Sequence, residues 1–110
     1  METLGEIKIS PLVIETITKL STLEVEGVAD LSGNFVRDIT GFLNFNSANN
    51  GIKVVIEEKE VIIDISITMK NGYSIPELAE KIQENVKQSV ENMTRLNVQK
   101  VNLHINDIEF

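Results

Sequence analysis

Hydrophobic and polar positions change period several times along the chain, and each change marks an element. Glu6-Ile7-Lys8-Ile9 alternates polar and apolar, which predicts a short strand with Ile7 and Ile9 turned inward. Ser10-Pro11 ends it and opens a helix. Serine accepts hydrogen bonds from the free N–H groups of a first turn, and proline lacks the N–H that would go unpaired there. Val13, Ile17 and Leu20 give this helix its expected buried stripe, which fades near Ser21-Thr22. Leu23 to Leu31 reads as a turn into a second short strand, with Gly27 at its entry. After Ser32-Gly33-Asn34, the residues Phe35, Ile39, Phe42 and Leu43 recur at i, i+4, i+7 and i+8, the spacing of a short amphipathic helix. Thr40-Gly41 weakens its interior.

Phe45 to Asn50 is an Asn/Ser-rich loop. Beyond it, Ile52, Val54 and Ile56 alternate with Lys53, Val55 and Glu57, and Val61, Ile63, Ile65, Ile67 and Met69 alternate with Ile62, Asp64, Ser66 and Thr68. Two hairpin strands follow from this pattern. Their connection, Glu58-Lys59-Glu60, has no Asn-Gly or Asp-Gly pair, which predicts a loop slightly longer than the tightest turn. Ser74-Ile75-Pro76-Glu77 is a capping box at the start of the main helix. Ile75, Leu78, Ala79, Ile82, Val86, Val90 and Met93 give that helix one continuous apolar face to about Thr94. Val101, Leu103 and Ile105 alternate with Asn102, His104 and Asn106 in a last strand toward Phe110. The expectation is a single domain over residues 1–110. Its fold class is α+β, a two-layer β-α-β-β-α-β sandwich with both helices on one face of a mostly antiparallel sheet and a short inserted helix.

Composition narrows the function more by exclusion than by assignment. The 110 residues are 42% hydrophobic and 25% charged, values of a folded globular domain. There is no cysteine, which removes disulfides, thiolate-bound zinc and thiol nucleophiles, and the single His104 removes multi-histidine metal sites. A net charge of −7 opposes attraction to nucleic acid or anionic lipid. The first residues have no apolar stretch behind a basic start, and the run Val61 to Met69 is interrupted by Asp64, so neither a secretory signal nor membrane insertion is expected. A cytoplasmic location is.

The polar face opposite the helices gathers Glu6, Lys8, Lys53, Asp64, Ser66, Thr68, Asn102, His104 and Asn106. These groups could hold a hard cation or small ligand, or His104 beside Asp64 could act as a base, yet their spacing has no diagnostic metal or nucleophile pattern. No cofactor is called for, and the expectation is a protein that is not an enzyme. An RNA-binding sheet needs aromatic side chains on its open face and basic surroundings. Aromatics are 5% of this chain, and three of its four phenylalanines fall between Phe35 and Phe45. That cluster makes Phe35, Ile39, Phe42 and Leu43 the candidate interaction surface. The bland alternative is an insert that closes the core.

Gly5-Glu6-Ile7-Lys8-Ile9-Ser10-Pro11 with Val13-Ile14-Glu15, Glu24-Val25-Glu26-Gly27-Val28-Ala29, Ser74-Ile75-Pro76-Glu77 with Ile82-Gln83-Glu84-Asn85-Val86, and Asn92-Met93-Thr94 with Val101-Asn102-Leu103-His104-Ile105 follow in order along the chain. Together they resemble the alkaline shock protein family, envelope stress proteins of Gram-positive bacteria, from Gly5 to Phe110. Gly33-Asn34-Phe35 and Asn92-Met93-Thr94 resemble its branch associated with acetyl-CoA carboxylase genes and fatty-acid synthesis. The resemblance implies a small cytoplasmic, non-enzymatic protein that forms homo-oligomers and acts on envelope or lipid homeostasis. It implies recruitment to the membrane by a separate anchor protein in some members, and acetyl-CoA carboxylase subunits as further partners. A small-molecule or ion-binding regulator using the polar sheet face is the alternative.

Overall fold

The computed structural model describes residues 4–32 and 51–110. The elements run α1 (Pro11–Leu23), β1 (Val28–Leu31), β2 (Ile52–Glu57), β3 (Glu60–Lys70), α2 (Ile75–Thr94) and β4 (Asn97–Glu109). This is the expected α+β class: two helices cover one face of a four-stranded sheet, in which two of the three strand pairings are antiparallel. The candidate surface Phe35, Ile39, Phe42 and Leu43, and the short helix expected to carry it, lie outside the described residues.

β3 organises the sheet. Its alternation sends Val61, Ile63, Ile65, Ile67 and Met69 toward the helices, where all are buried. β4 pairs with β3 in parallel along its whole length, from Glu60↔Asn97 to Lys70↔Glu109. Both remaining strands must therefore share the other edge. β2 takes Glu60 to Ile65 and β1 takes Ile67 to Met69, both antiparallel. Ser66 is the junction: its N–H donates to the Gly51 carbonyl and its carbonyl accepts from the Ser32 N–H, each at 2.8 Å. β1 and β2 thus stand end to end as one interrupted strand.

That geometry explains one departure from expectation. The segment Glu6–Ile9 forms no strand, Ile7 is 90% exposed, and only Ile9 packs partly against the core. Both edges of β3 are already taken, by β4 on one side and by β1 and β2 on the other, so no place beside β3 is left for a leading strand. The hairpin differs as well. β2 and β3 are joined by a two-residue turn, with Glu58 in the left-handed region at φ 58°.

Both helices begin where the caps place them. Ser10 Oγ accepts from the Leu12 N–H at 3.1 Å with Pro11 next in line, and Ser74 Oγ accepts from the Glu77 N–H at 3.4 Å. α2 buries Leu78, Ile82, Val86 and Val90 as predicted, but Ile75 and Met93, at its ends, are exposed. α1 departs further. It buries Ile14, Ile17, Thr18, Ser21 and Thr22, whereas Val13 and Leu20, expected inside, point out. With only Glu15 and Lys19 charged among its thirteen residues, α1 has no polar side to fix its rotation. The face that enters is the one with the smaller side chains, which lets the helix lie close to its neighbours.

Candidate interaction surface

The polar sheet face forms, and its asparagines bond within the chain. The strand register sets Lys53, Asp64 and Asn102 in one row, and Asn102 Nδ2 donates to Asp64 Oδ1 at 2.9 Å. Asn97 Nδ2 donates to both Glu60 carboxylate oxygens at 3.1 and 3.2 Å. His104 stands opposite Ser66 rather than Asp64, so the acid–histidine pair envisaged from the sequence is not assembled. A bulge after Ile67 puts Asp107, not Asn106, opposite Thr68, and Asn106 Nδ2 donates instead to Ser32 Oγ at 3.1 Å. Glu6 and Lys8 belong to no strand of this face and lie 3.7 Å apart in the leading segment. Among the described residues no group of three or more His, Asp or Glu side chains is placed to hold a metal ion.

The other side of the molecule is different. The outward turn of α1 leaves Leu12 63%, Val13 47% and Leu20 58% exposed, and Met93 of α2 is 70% exposed beside them. These side chains line a groove of about 570 Å³ between the two helices, together with Ser10, Thr16, Ser89 and Glu24. α2 runs back along α1: Asn85 Nδ2 donates to the Ser21 carbonyl at 2.8 Å and to Glu24 Oε1 at 3.2 Å, and Met93 follows two turns later toward the start of α1.

Two of the groove's hydroxyls and one carboxylate oxygen of Glu24 are already paired within the chain. Thr16 Oγ1 donates to the Leu12 carbonyl at 3.0 Å, and Ser10 Oγ caps the helix. Covering this face would strand few donors, while several large apolar side chains would leave water. Exposed large apolar side chains dominate the lining, a surface suited to association. Periodicity assigned Val13, Leu20 and Met93 to the core, so this surface was missed. The signal available was an α1 with more apolar surface than one core seam uses.

Comparison with known proteins fits this picture. The family model for alkaline shock protein 23 (the Asp-23 family, cell envelope-related function) matches residues 1–110. The protein YqhY of Bacillus subtilis strain 168 is 36% identical over 107 residues, covering 97% of this chain and 79% of that protein. A stress response regulator gls24 homolog of Streptococcus pyogenes serotype M3 is 29% identical over 106 residues, and these span 96% of this chain but 59% of that longer protein. Among solved structures, the zinc form of a variant of the MamM CTD superposes with a TM-score of 0.55 over 90% of this chain and 87% of that one. At 11% identity that likeness concerns the fold alone. The four stretches that suggested the alkaline shock proteins therefore hold across the whole chain: it belongs to the Asp-23 family, whose function is related to the cell envelope.

Proposed function

We propose that this chain is a non-enzymatic cytoplasmic interaction module in envelope-stress or fatty-acid-synthesis homeostasis, acting by self-association and by binding other proteins. The observation that carries the reading is the exposed apolar groove of Leu12, Val13, Leu20 and Met93. The family's envelope-related description and the stress-regulator name of relatives support the setting. No helix of the described residues is long and apolar enough to cross a membrane, so contact with the envelope is assigned to a partner such as a membrane anchor protein. Acetyl-CoA carboxylase subunits are the partner for the fatty-acid arm. Phe35, Ile39, Phe42 and Leu43 are proposed as a second contact surface, on the strength of their clustering in the sequence.

Affinity capture from cells tests this reading. Leu12→Glu with Leu20→Glu, and separately Phe35→Ser with Phe42→Ser, should give proteins of unchanged circular dichroism that lose assembly or named partners. Variants that fold normally and capture everything the parent captures would sink it.

A further inference from the structure

We propose that the groove between α1 and α2 receives an amphipathic helix of a partner protein, apolar along one stripe and basic at the end that lies over Glu24, Glu26 and Glu84. The proposal rests on the reading of the chain as an interaction module and names the chemistry of what it binds. Leu12, Val13, Leu20 and Met93 supply an exposed apolar floor, and from Leu12 to Glu24 the groove runs about 18 Å, roughly three turns of a helix laid along it. Its lining belongs to α1, the caps of α1 and α2, and a helix spends its backbone N–H and C=O groups on its own turns. A buried extended segment would find no ladder to join here, so the occupant has to satisfy its own backbone, as a helix does. Apolar side chains at i, i+3, i+4 and i+7 then reach the floor.

Charge fixes the other half of its chemistry. Glu15 and Lys19, the charged residues within α1, do not line the groove, and among the described residues Glu24 is its one ionisable lining group. Glu24 also lines the adjoining hollow of about 380 Å³, where Glu26, Glu84 and Lys81 join it. Three exposed carboxylates therefore stand against one ammonium at this end. The donors that reach two of them are neutral: Asn85 Nδ2 lies 3.2 Å from Glu24 Oε1, and the Tyr73 hydroxyl 3.2 Å from Glu26 Oε2. Lys87, the next cation along α2, is turned to the far flank, where it bonds Glu91 and the Val98 carbonyl. The groove is thus apolar along its length and acidic where it ends. A second copy, a nucleic acid or an anionic lipid surface meets these carboxylates, and the net charge of −7, with charge of its own sign. A helix with Lys or Arg at that end meets the opposite sign and is drawn in from a distance.

Synthetic peptides of about 16 residues test it, with binding read by fluorescence anisotropy and helicity by circular dichroism. One carries leucines at i, i+3, i+4 and i+7 and lysines at one end; its twin has glutamates for the lysines; a third keeps the lysines and scrambles the leucines. The first should bind about tenfold more tightly than its twin, gain helicity on binding, and lose that advantage between about 50 and about 500 mM salt. The third should not bind. Glu24→Lys with Glu84→Lys, both at exposed positions, should reverse the preference between the twins with unchanged circular dichroism, and Leu20→Glu should abolish the binding of both. Equal binding of the twins or of the scrambled peptide, a bound peptide that gains no helix, a preference untouched by the charge reversal, or no binding at all overturns the proposal. So does a dimer of the chain that Leu20→Glu dissociates and the first peptide leaves intact. Should any of these occur while Leu20→Glu still strips named partners in affinity capture, the interaction-module reading stands; capture unchanged in every variant removes the two together.

Discussion

Glu91 joins α2 to β4. Its Oε2 accepts from Lys87 Nζ at 2.8 Å and from the Val98 N–H at 2.9 Å, and these bonds, the lysine's first, hold its carboxyl below the ordinary value of 4.5. A carboxylate with a lowered folded-state pKa contributes stability that is fully present above about 4.5 and is lost as pH falls through the lowered value. The Glu91→Gln variant should therefore be less stable than the parent at pH 7, with the gap in urea midpoint closing toward pH 3. Gly51 is a second single-residue constraint. It sits at φ 78° where β2 begins, and a Cβ there would overlap the Ser32 carbonyl oxygen and lie 2.9 Å from the Ser66 carbonyl oxygen. Gly51→Ala should cost about 2–3 kcal/mol in denaturant unfolding, since neither contact is with a flexible side chain. The sequence marks Gly51 only as the end of an Asn-rich loop. Its necessity comes from two backbone segments, distant in the chain, that meet at Ser66.

At the scale of elements, local signals were legible where they act locally. Ser10-Pro11 and Ser74-Ile75-Pro76 each start a helix, because the cap satisfies N–H groups within the same turn. Replacing Ser74 with Ala should lower stability by about 1 kcal/mol in thermal or urea unfolding, with the α2 start fraying. The rotation of α1 was not legible. The stripe Val13, Ile17, Leu20 and the stripe Ile14, Ile17, Thr18, Ser21 both have helical spacing, and the structure selects the second. That choice buries the Thr18 and Thr22 hydroxyls with no hydrogen-bond partner among the described residues, at roughly 1–3 kcal/mol each by the usual penalty. Close packing of small side chains outweighs it, and the leucines displaced to the outside become the groove.

Across the whole molecule, every element leans on β3. Ile65 has no solvent exposure and sits mid-strand between β2 and β4, paired with Ile52 on one side and Leu103 on the other. Ile65→Asp would place an unpaired charge in the single core, a penalty comparable to the stability of a small domain, and the variant should be unfolded by circular dichroism at 25 °C. A cooperative native transition in that protein would contradict the core described here.

Sequence alone determined the class of the fold, the two caps, the inward face of β3 and the family, because each of these is written in neighbouring residues: the period of alternation, the chemistry of a first turn, and stretches of likeness in order. Tertiary structure decided which side of α1 faces water, that Glu6–Ile9 stays out of the sheet, and that His104 meets Ser66 instead of Asp64. These outcomes depend on competition for β3. A strand has only two edges, and once β4 fills one edge of β3 and the β1–β2 pair the other, a short alternating segment has no place beside β3. A helix of nearly uniform hydrophobicity likewise has no orientation until it meets the surface on which it packs.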